Sequence, residues 1–101
     1  MTMSESGQPP ITLAHRLRRS DQVMFQDVGG EAVLLDLASE TYFGLNKVGT
    51  RIWELLPQHD SLSEIHATLC EEFDAPPAQI EHDLLQLAAQ LAQAGLVTVT
   101  E

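Results

Sequence analysis

The sequence predicts a single α+β domain in which short strands come first and helices follow. Between residues 22 and 45, apolar residues recur at every second position, as they do in strands with one apolar side. From residue 46 to residue 94 they recur every three or four positions, which is the spacing of amphipathic helices. A chain of 101 residues can bury one modest core, but not two.

Three strands are predicted in the first half of the chain, at QVMFQDV (22–28), EAVLLDL (31–37) and TYFGL (41–45). The first two strands each have an apolar side, formed by Val23 and Phe25 in one and by Val33, Leu35 and Leu37 in the other. Gly29-Gly30 can adopt the positive φ of a two-residue hairpin turn. The short connections predict an antiparallel meander.

The first predicted helix begins after Asn46, a good N-cap residue, and stops at Pro57, which cannot continue a helix. Its apolar residues have the i, i+4, i+7, i+8 spacing of one face: Val48, Ile52, Leu55 and Leu56. The second helix begins at SLSE (61–64), which has the Ser-x-x-Glu form of a capping box. Its apolar face is expected at Ile65, Leu69 and Phe73.

The third predicted helix is long and spans residues 77–94. Pro77 suits a first helical position, and Gly95 is a terminating residue. LVTVT (96–100) then alternates like a short final strand. Two short helices, a longer one and a strand follow each other in the order of a winged helix-turn-helix.

The predicted fold is therefore an N-terminal three-stranded antiparallel sheet packed on a winged-helix-like trihelical unit. MTMSESGQPP (1–10) is rich in Ser, Gly, Gln and Pro, and we expect it to form a flexible tail. Residues 11–101 are expected to form the single domain.

The composition predicts a cytoplasmic protein. No apolar run approaches the ~18 residues that a spanning helix needs, and residues 1–10 lack the basic start and apolar middle of a signal peptide. A single cysteine agrees with a reducing compartment.

Charge limits the partners that are expected. Five basic and fifteen acidic residues give a formal net charge of −10, and no Lys or Arg follows Ile52. Such a charge repels phosphate backbones and membranes and favours basic peptides or proteins. It is also a common device for solubility.

Catalysis, metal binding and cofactors are not expected. Cys70 follows His66 by one helical turn, which fits a thiol–base pair or half a metal site, but no third member is evident. Cysteine is commonly a small core residue, so the structural interpretation of this pair is favoured. Gly29-Gly30 lacks the helix and lysine of a phosphate-binding loop.

A winged helix-turn-helix raises DNA binding as the alternative function. The third helix would then be the recognition helix, and it contains no Lys or Arg for phosphate or guanine contacts.

The apolar residues of the third helix form two stripes, Ile80, Leu84, Leu87 and Leu91 in one, and Leu85, Ala88, Ala89 and Ala92 in the other. So broad an arc fits either a helix sandwiched between other elements or a helix lining a groove.

GEAVLLDLASETYFGLNKVGTRIWELL (30–56), followed by SLSEIHATLCEEFD and the long helix, resembles the PqqD-like family. These proteins are peptide chaperones of pyrroloquinoline quinone biosynthesis. Their relatives, the RiPP recognition elements, include leader-binding subunits of lasso-peptide processing. The resemblance covers about residues 11–100.

The resemblance implies a non-catalytic protein that binds the leader of a ribosomally made precursor peptide by strand addition. It also implies a partner modifying enzyme, either a radical SAM enzyme or a leader peptidase or cyclase. The added strand would lie beside Thr41, Tyr42, Phe43, Gly44 and Leu45. The candidates for pocket residues on the facing helix are Leu84, Leu87, Ala88 and Leu91. If Ala88 lines a groove, a bulky residue at this position is expected to block it.

The TYFGL strand is itself consistent with such a role. Proteins usually blunt an exposed apolar strand edge with Lys or Pro, and this segment has neither. Gly44 also removes a side chain where another backbone can approach.

Overall fold

The computed structural model describes residues 11–100, so the predicted tail lies outside the described residues. The strands are β1 (Arg16–Arg19), β2 (Val23–Val28), β3 (Glu31–Asp36), β4 (Thr41–Leu45) and β5 (Val97–Thr100). The helices are α1 (Lys47–Leu55), a 3-10 turn (Leu56–Gln58), α2 (Leu62–Glu72) and α3 (Pro77–Gln93). The α+β fold class is confirmed.

The predicted meander is an antiparallel sheet in the order β2-β3-β4. Val28 pairs with Glu31 across the first turn, in which Gly29 and Gly30 have φ of 69° and 92°. Both values lie in the left-handed region that a type I′ turn requires and that glycine adopts without strain. The predicted hairpin is therefore confirmed.

The core face of β3 is formed by Ala32 and Leu34, both of which are buried. Leu34 pairs with Phe25 of β2 and Phe43 of β4, so these three side chains lie on one face of the sheet. The apolar side noted in the sequence, Val33, Leu35 and Leu37, faces the other way and is only partly covered.

Asn46 caps α1 as expected, because its side-chain oxygen accepts the N–H of Gly49 at 2.8 Å. The helix ends at Leu55, one residue earlier than predicted. The α-helix ends before Pro57, but the chain continues as a 3-10 turn that includes this proline. Pro57 lies near the start of the turn, where a missing N–H costs little. The turn buries Leu56 in the core.

The capping box of α2 forms with a shift of one residue. The Ser61 hydroxyl accepts the N–H of Glu64 at 3.4 Å, while the Glu64 carboxylate accepts the N–H of Asp60 at 3.0 Å. At the end of α3, Gly95 has φ of 79°, and the next N–H, from Leu96, donates to the carbonyl of Leu91 at 2.9 Å. Gly95 therefore terminates α3 as predicted.

A two-stranded ribbon of β1 and β5 joins the two ends of the described chain, with Arg16 opposite Thr100 and Arg19 opposite Val97. The sequence predicts β5 but not β1. Three of the four residues of β1 are arginines, so it shows no apolar alternation, and its partner strand lies about eighty residues away. Within residues 11–100, no helix is long and apolar enough to cross a membrane.

Candidate functional site

One edge of β4 is not paired with any strand of residues 11–100, because β4 ends the sheet. The N–H of Glu40 donates to the carbonyl of Asp36 at 2.7 Å, so Asp36 directs its backbone groups toward β4. Its neighbour Leu37 donates to Gln22 at 2.8 Å, on the β2 side. Hydrogen-bonding direction alternates along a strand, so Leu34, two residues before Asp36, also directs its backbone groups toward β4. Phe43 is the residue of β4 that lies opposite Leu34.

Phe43 therefore directs its backbone groups toward β3, and Tyr42 and Gly44 direct theirs outward. The open edge presents two N–H groups and two carbonyls in a row, which can pair with one extended strand. The Tyr42 side chain is 74% exposed, on the outer face of the sheet.

Beside this edge lies a cleft of about 320 Å³, called here the β4 cleft. It is formed by β4, the start of α1 and one flank of α3. Its lining residues are Phe43, Gly44, Leu45, Asn46, Val48, Gly49, Ile52, Asp83, Gln86, Leu87 and Gln90. This volume is at the low end of the range for small-ligand sites, so it suits a few side chains better than a whole cofactor.

The floor and the wall of the β4 cleft differ in chemistry. Apolar side chains from β4 and α1, together with Leu87, form the floor. Asp83, Gln86 and Gln90 form an exposed polar wall along α3. A segment bound here would insert apolar side chains downward and offer polar or basic groups to the wall.

The structure separates the site residues predicted from the sequence into two groups. Phe43, Gly44, Leu45 and Leu87 line the β4 cleft, and Thr41 and Tyr42 continue along its strand. Leu84, Ala88 and Leu91 are 0% exposed.

These three residues lie in the core and not in the cleft, which corrects the prediction made from the sequence. Together with Ile80 they form the inner stripe of α3, which packs on the core and has no surface to offer a ligand. The broad apolar arc of α3 is thus mostly explained by packing.

Sequence reasoning missed the polar wall. Asp83, Gln86 and Gln90 recur at three and four residues and flank Leu87, so they share one strip of the helix surface. Once Leu87 is placed in the cleft, this spacing identifies the others.

The His66–Cys70 pair exists, with 3.6 Å between Nε2 and Sγ. The same Nε2 lies 2.9 Å from the carbonyl oxygen of Pro77. A carbonyl can only accept, so this nitrogen carries the proton and donates it to Pro77, leaving no lone pair to deprotonate the thiol. The histidine thus ties α2 to the start of α3. Among residues 11–100, no three His, Cys, Asp or Glu side chains are grouped as metal ligands.

Comparison with protein families gives a match over residues 31–97 to "Coenzyme PQQ synthesis protein D (PqqD)". The chain belongs to the PqqD family. The matched region contains the whole β4 cleft. It begins after β2, so β1 and the first half of the hairpin lie outside it.

A curated relative of this PqqD-family chain is the bifunctional coenzyme PQQ synthesis protein C/D of Methylorubrum extorquens, which is 36% identical over 78 residues. The match covers 77% of this chain and 20% of the relative, so the chain spans about a fifth of that protein's length.

Two solved structures have the same fold. One is described as TbiB1 in complex with the TbiA(beta) leader peptide, with 38% identity, a TM-score of 0.72 and coverage of 79% of this chain and 93% of that one. The other is lasso peptide synthetase B1 complexed with the leader peptide, with 25% identity, a TM-score of 0.71 and coverage of 82% and 98%. None of these relatives is described as a DNA-binding protein, so the alternative function gains no support.

Proposed function

We propose that this PqqD-family chain is a non-catalytic adaptor that binds the leader of a ribosomally made precursor peptide. The leader adds as a strand to the open edge of β4 and rests its side chains in the β4 cleft. The observation that carries the proposal is the coincidence of two features: outward N–H and C=O groups on Tyr42 and Gly44 run beside a cleft that has an apolar floor. In strand addition, main-chain hydrogen bonds supply the affinity, and pockets for alternate side chains supply the specificity.

The cleft also indicates what kind of segment binds. Successive side chains of a strand point to opposite sides, so alternate leader residues face the floor at Phe43 and Leu87. Those residues are expected to be aliphatic or aromatic. A basic or amide side chain is expected near Asp83, which is the acidic residue of the wall.

The two leader-peptide complexes among the structural relatives support this proposal. We further propose that the bound precursor is presented to a separate modifying enzyme, either a radical SAM enzyme or a leader peptidase or cyclase. Holding the leader raises the effective concentration of the rest of the peptide at that enzyme, so a modest affinity is sufficient.

The test is a titration of the protein with the leader of the precursor peptide encoded beside its gene. Calorimetry gives the affinity, and amide chemical shifts give the location. The largest shifts are expected at residues 41–45 and at the cleft-facing positions Asp83, Gln86, Leu87 and Gln90. Binding without shifts along β4, or shifts confined to β1, would show that strand addition at this edge is incorrect.

A further inference from the structure

A second cleft, of about 690 Å³, lies beside β2, at the opposite edge of the sheet from β4. It is bounded by β1, the start of β2 and the segment from α1 into the 3-10 turn. Its lining residues are Arg16, Leu17, Arg18, Arg19, Ser20, Asp21, Val23, Phe25, Trp53, Leu56, Pro57 and Thr100. It is called here the arginine cleft. Since β2 and β4 are opposite edges of the sheet, it is separate from the β4 cleft.

The arginine cleft concentrates the positive charge of an acidic protein. It contains three of the five basic residues in a chain of net charge −10. Of the other two, Arg51 is held by Glu72, 2.8 Å from its Nε, and Lys47 lies at the start of α1.

The three arginines of this cleft are largely not neutralised by the protein itself. Arg16 reaches Asp60 only at 3.8 Å, and both side chains are more than half exposed. Arg18 is exposed and makes no ion pair within residues 11–100. Their positive charge is therefore available to a ligand.

Arg19 is held in place by an aromatic ring. Its guanidinium carbon lies 5.3 Å from the centroid of the Trp53 ring, and Nη1 approaches the Trp53 carbonyl at 3.5 Å. A cation–π contact of this kind holds the guanidinium beside the ring and leaves other N–H groups for an acceptor. Arg19 is therefore a fixed cation of the cleft. Arg16 and Arg18, whose side chains alternate with that of Arg19 along β1, add positive charge around it.

The rest of the cleft can receive an extended chain. Phe25 is 41% exposed and lines it together with Val23 and Pro57, so apolar surface lies beside the arginines. β1 pairs only with β5 and β2 only with β3 among the described strands, so each has one edge without a strand partner. Backbone groups are thus present on two sides.

We propose that the arginine cleft is a second docking site, which binds an extended acidic segment of a partner protein. Its guanidinium groups would bind carboxylates, for which their forked N–H geometry is suited. Charge complementarity selects this occupant, because an acidic segment is repelled by most of the protein surface and attracted here. Docking therefore has one preferred orientation.

Nucleic acid fits the same observations less well. Duplex DNA carries about one charge per 1.7 Å of its axis, and a chain of net charge −10 with three clustered arginines offers few phosphate contacts. The partner is most simply the enzyme that receives the leader-bound precursor, and that identification rests on the proposed function. The proposal that the arginine cleft binds an acidic segment does not rest on the proposed function.

The test uses a fluorescein-labelled peptide of alternating glutamate and valine, and a matched peptide of lysine and valine. Fluorescence anisotropy compares the full chain with Arg18→Gln and with Lys47→Gln, which removes the same charge outside this cleft. The glutamate peptide is expected to bind saturably and to lose about threefold in affinity in Arg18→Gln but not in Lys47→Gln. Amide and indole shifts are expected at residues 16–21 and Trp53.

Absence of binding, an equal loss in both variants, or equal binding of the lysine peptide would overturn the proposal. Displacement of the peptide by duplex DNA or inorganic phosphate at lower concentration would also overturn it in favour of a phosphate site. No leader peptide is used, so failure of leader binding at β4 and failure of acidic docking are observed separately.

Discussion

Gly49 of α1 lies directly against Leu87 of α3 at the floor of the β4 cleft. A Cβ on Gly49 would lie 3.3 Å from Cδ2 of Leu87 and 3.3 Å from Cδ2 of Leu45, closer than side chains normally pack. Leu45 is buried and fixed, whereas Leu87 is half-buried and borders open space. The absence of a side chain at position 49 therefore lets Leu87 pack back against α1 at the floor of the cleft, so that it does not project across the cleft.

We predict that Gly49→Ala weakens leader binding severalfold while the protein stays folded. Alanine gains about 1 kcal/mol of helix propensity over glycine, which offsets the overlap with Leu45. Leu87 is displaced into the cleft and occupies the ligand's place. In a double-mutant cycle, Leu87→Ala should cost less affinity in the Gly49→Ala background than alone. Independent, additive effects would mean that the contact between residues 49 and 87 does not shape the site.

Tyr42→Pro tests the direction of the backbone groups of β4. Its N–H points to the open edge, so proline there removes a bond to the added strand and none to β3. Leader affinity is expected to fall about tenfold, with little loss of thermal stability. Tyr42→Ala keeps the N–H and is the matched control. If alanine and proline weaken binding equally, the tyrosine ring rather than the main chain makes the contact.

Ala88→Leu distinguishes core from cleft on α3. Because Ala88 is 0% exposed, the larger side chain overpacks the core, and we expect a loss of about 1–3 kcal/mol in the free energy of unfolding. Ala89→Leu makes the same change at the next, exposed position and should leave stability nearly unchanged. Denaturant unfolding of both variants measures the difference. A stable Ala88→Leu variant that no longer binds the leader would return Ala88 to the cleft.

These cases show how far the sequence determines the site. Period-two and period-3.6 patterns locate β2, β3, β4 and the three helices, because each of these elements has an apolar face of its own. The strand edge at TYFGL is equally readable, since it has no blunting residue.

The remaining features depend on tertiary packing. β1 forms only because β5 returns beside it, and Arg16–Arg19 carries no strand pattern of its own. Likewise, Leu84 and Leu87 are both leucines on one helix, and only the angle at which α3 packs decides that Leu84 is buried and Leu87 lines the cleft. Periodicity identifies an apolar arc, but not its orientation.

Stability should depend on pH through an ion pair that joins α1 to α2. Nε and Nη2 of Arg51 each lie 2.8 Å from an oxygen of Glu72. The hydrogen bonds from Arg51 lower the pKa of Glu72 below its ordinary 4.5, and the same bonds raise the pKa of Arg51. A carboxylate whose pKa is lower in the folded chain than in the unfolded chain stabilises the fold at pH values above its unfolded pKa. This stabilisation is lost as the pH falls through the folded pKa.

Arg51→Gln should therefore lower the melting temperature by a few degrees at neutral pH. The pair is about one-third exposed and screened by solvent, so its contribution is about 1 kcal/mol or less. The difference from the native chain should vanish well below pH 4.5. Arg18→Gln removes an equal charge from an arginine without an ion pair in the described chain and should show no such pH dependence. An Arg51→Gln deficit that persists in acid would assign the effect to packing.

The lone thiol should be dispensable for binding. Cys70 is half-buried against the core, and Nε2 of His66 is committed to the Pro77 carbonyl, so neither residue is set up for thiol chemistry. Cys70→Ser should cost about 1 kcal/mol of stability, from partial burial of a hydroxyl, and leave leader affinity unchanged. His66→Ala should also lower stability, by losing the link between α2 and α3. Denaturant unfolding measures the two losses of stability. Calorimetric titration measures leader affinity, and elemental analysis measures bound zinc. Loss of leader binding in a folded Cys70→Ser variant, or one equivalent of zinc bound to the native chain and released on substitution, would show that this pair has a chemical role.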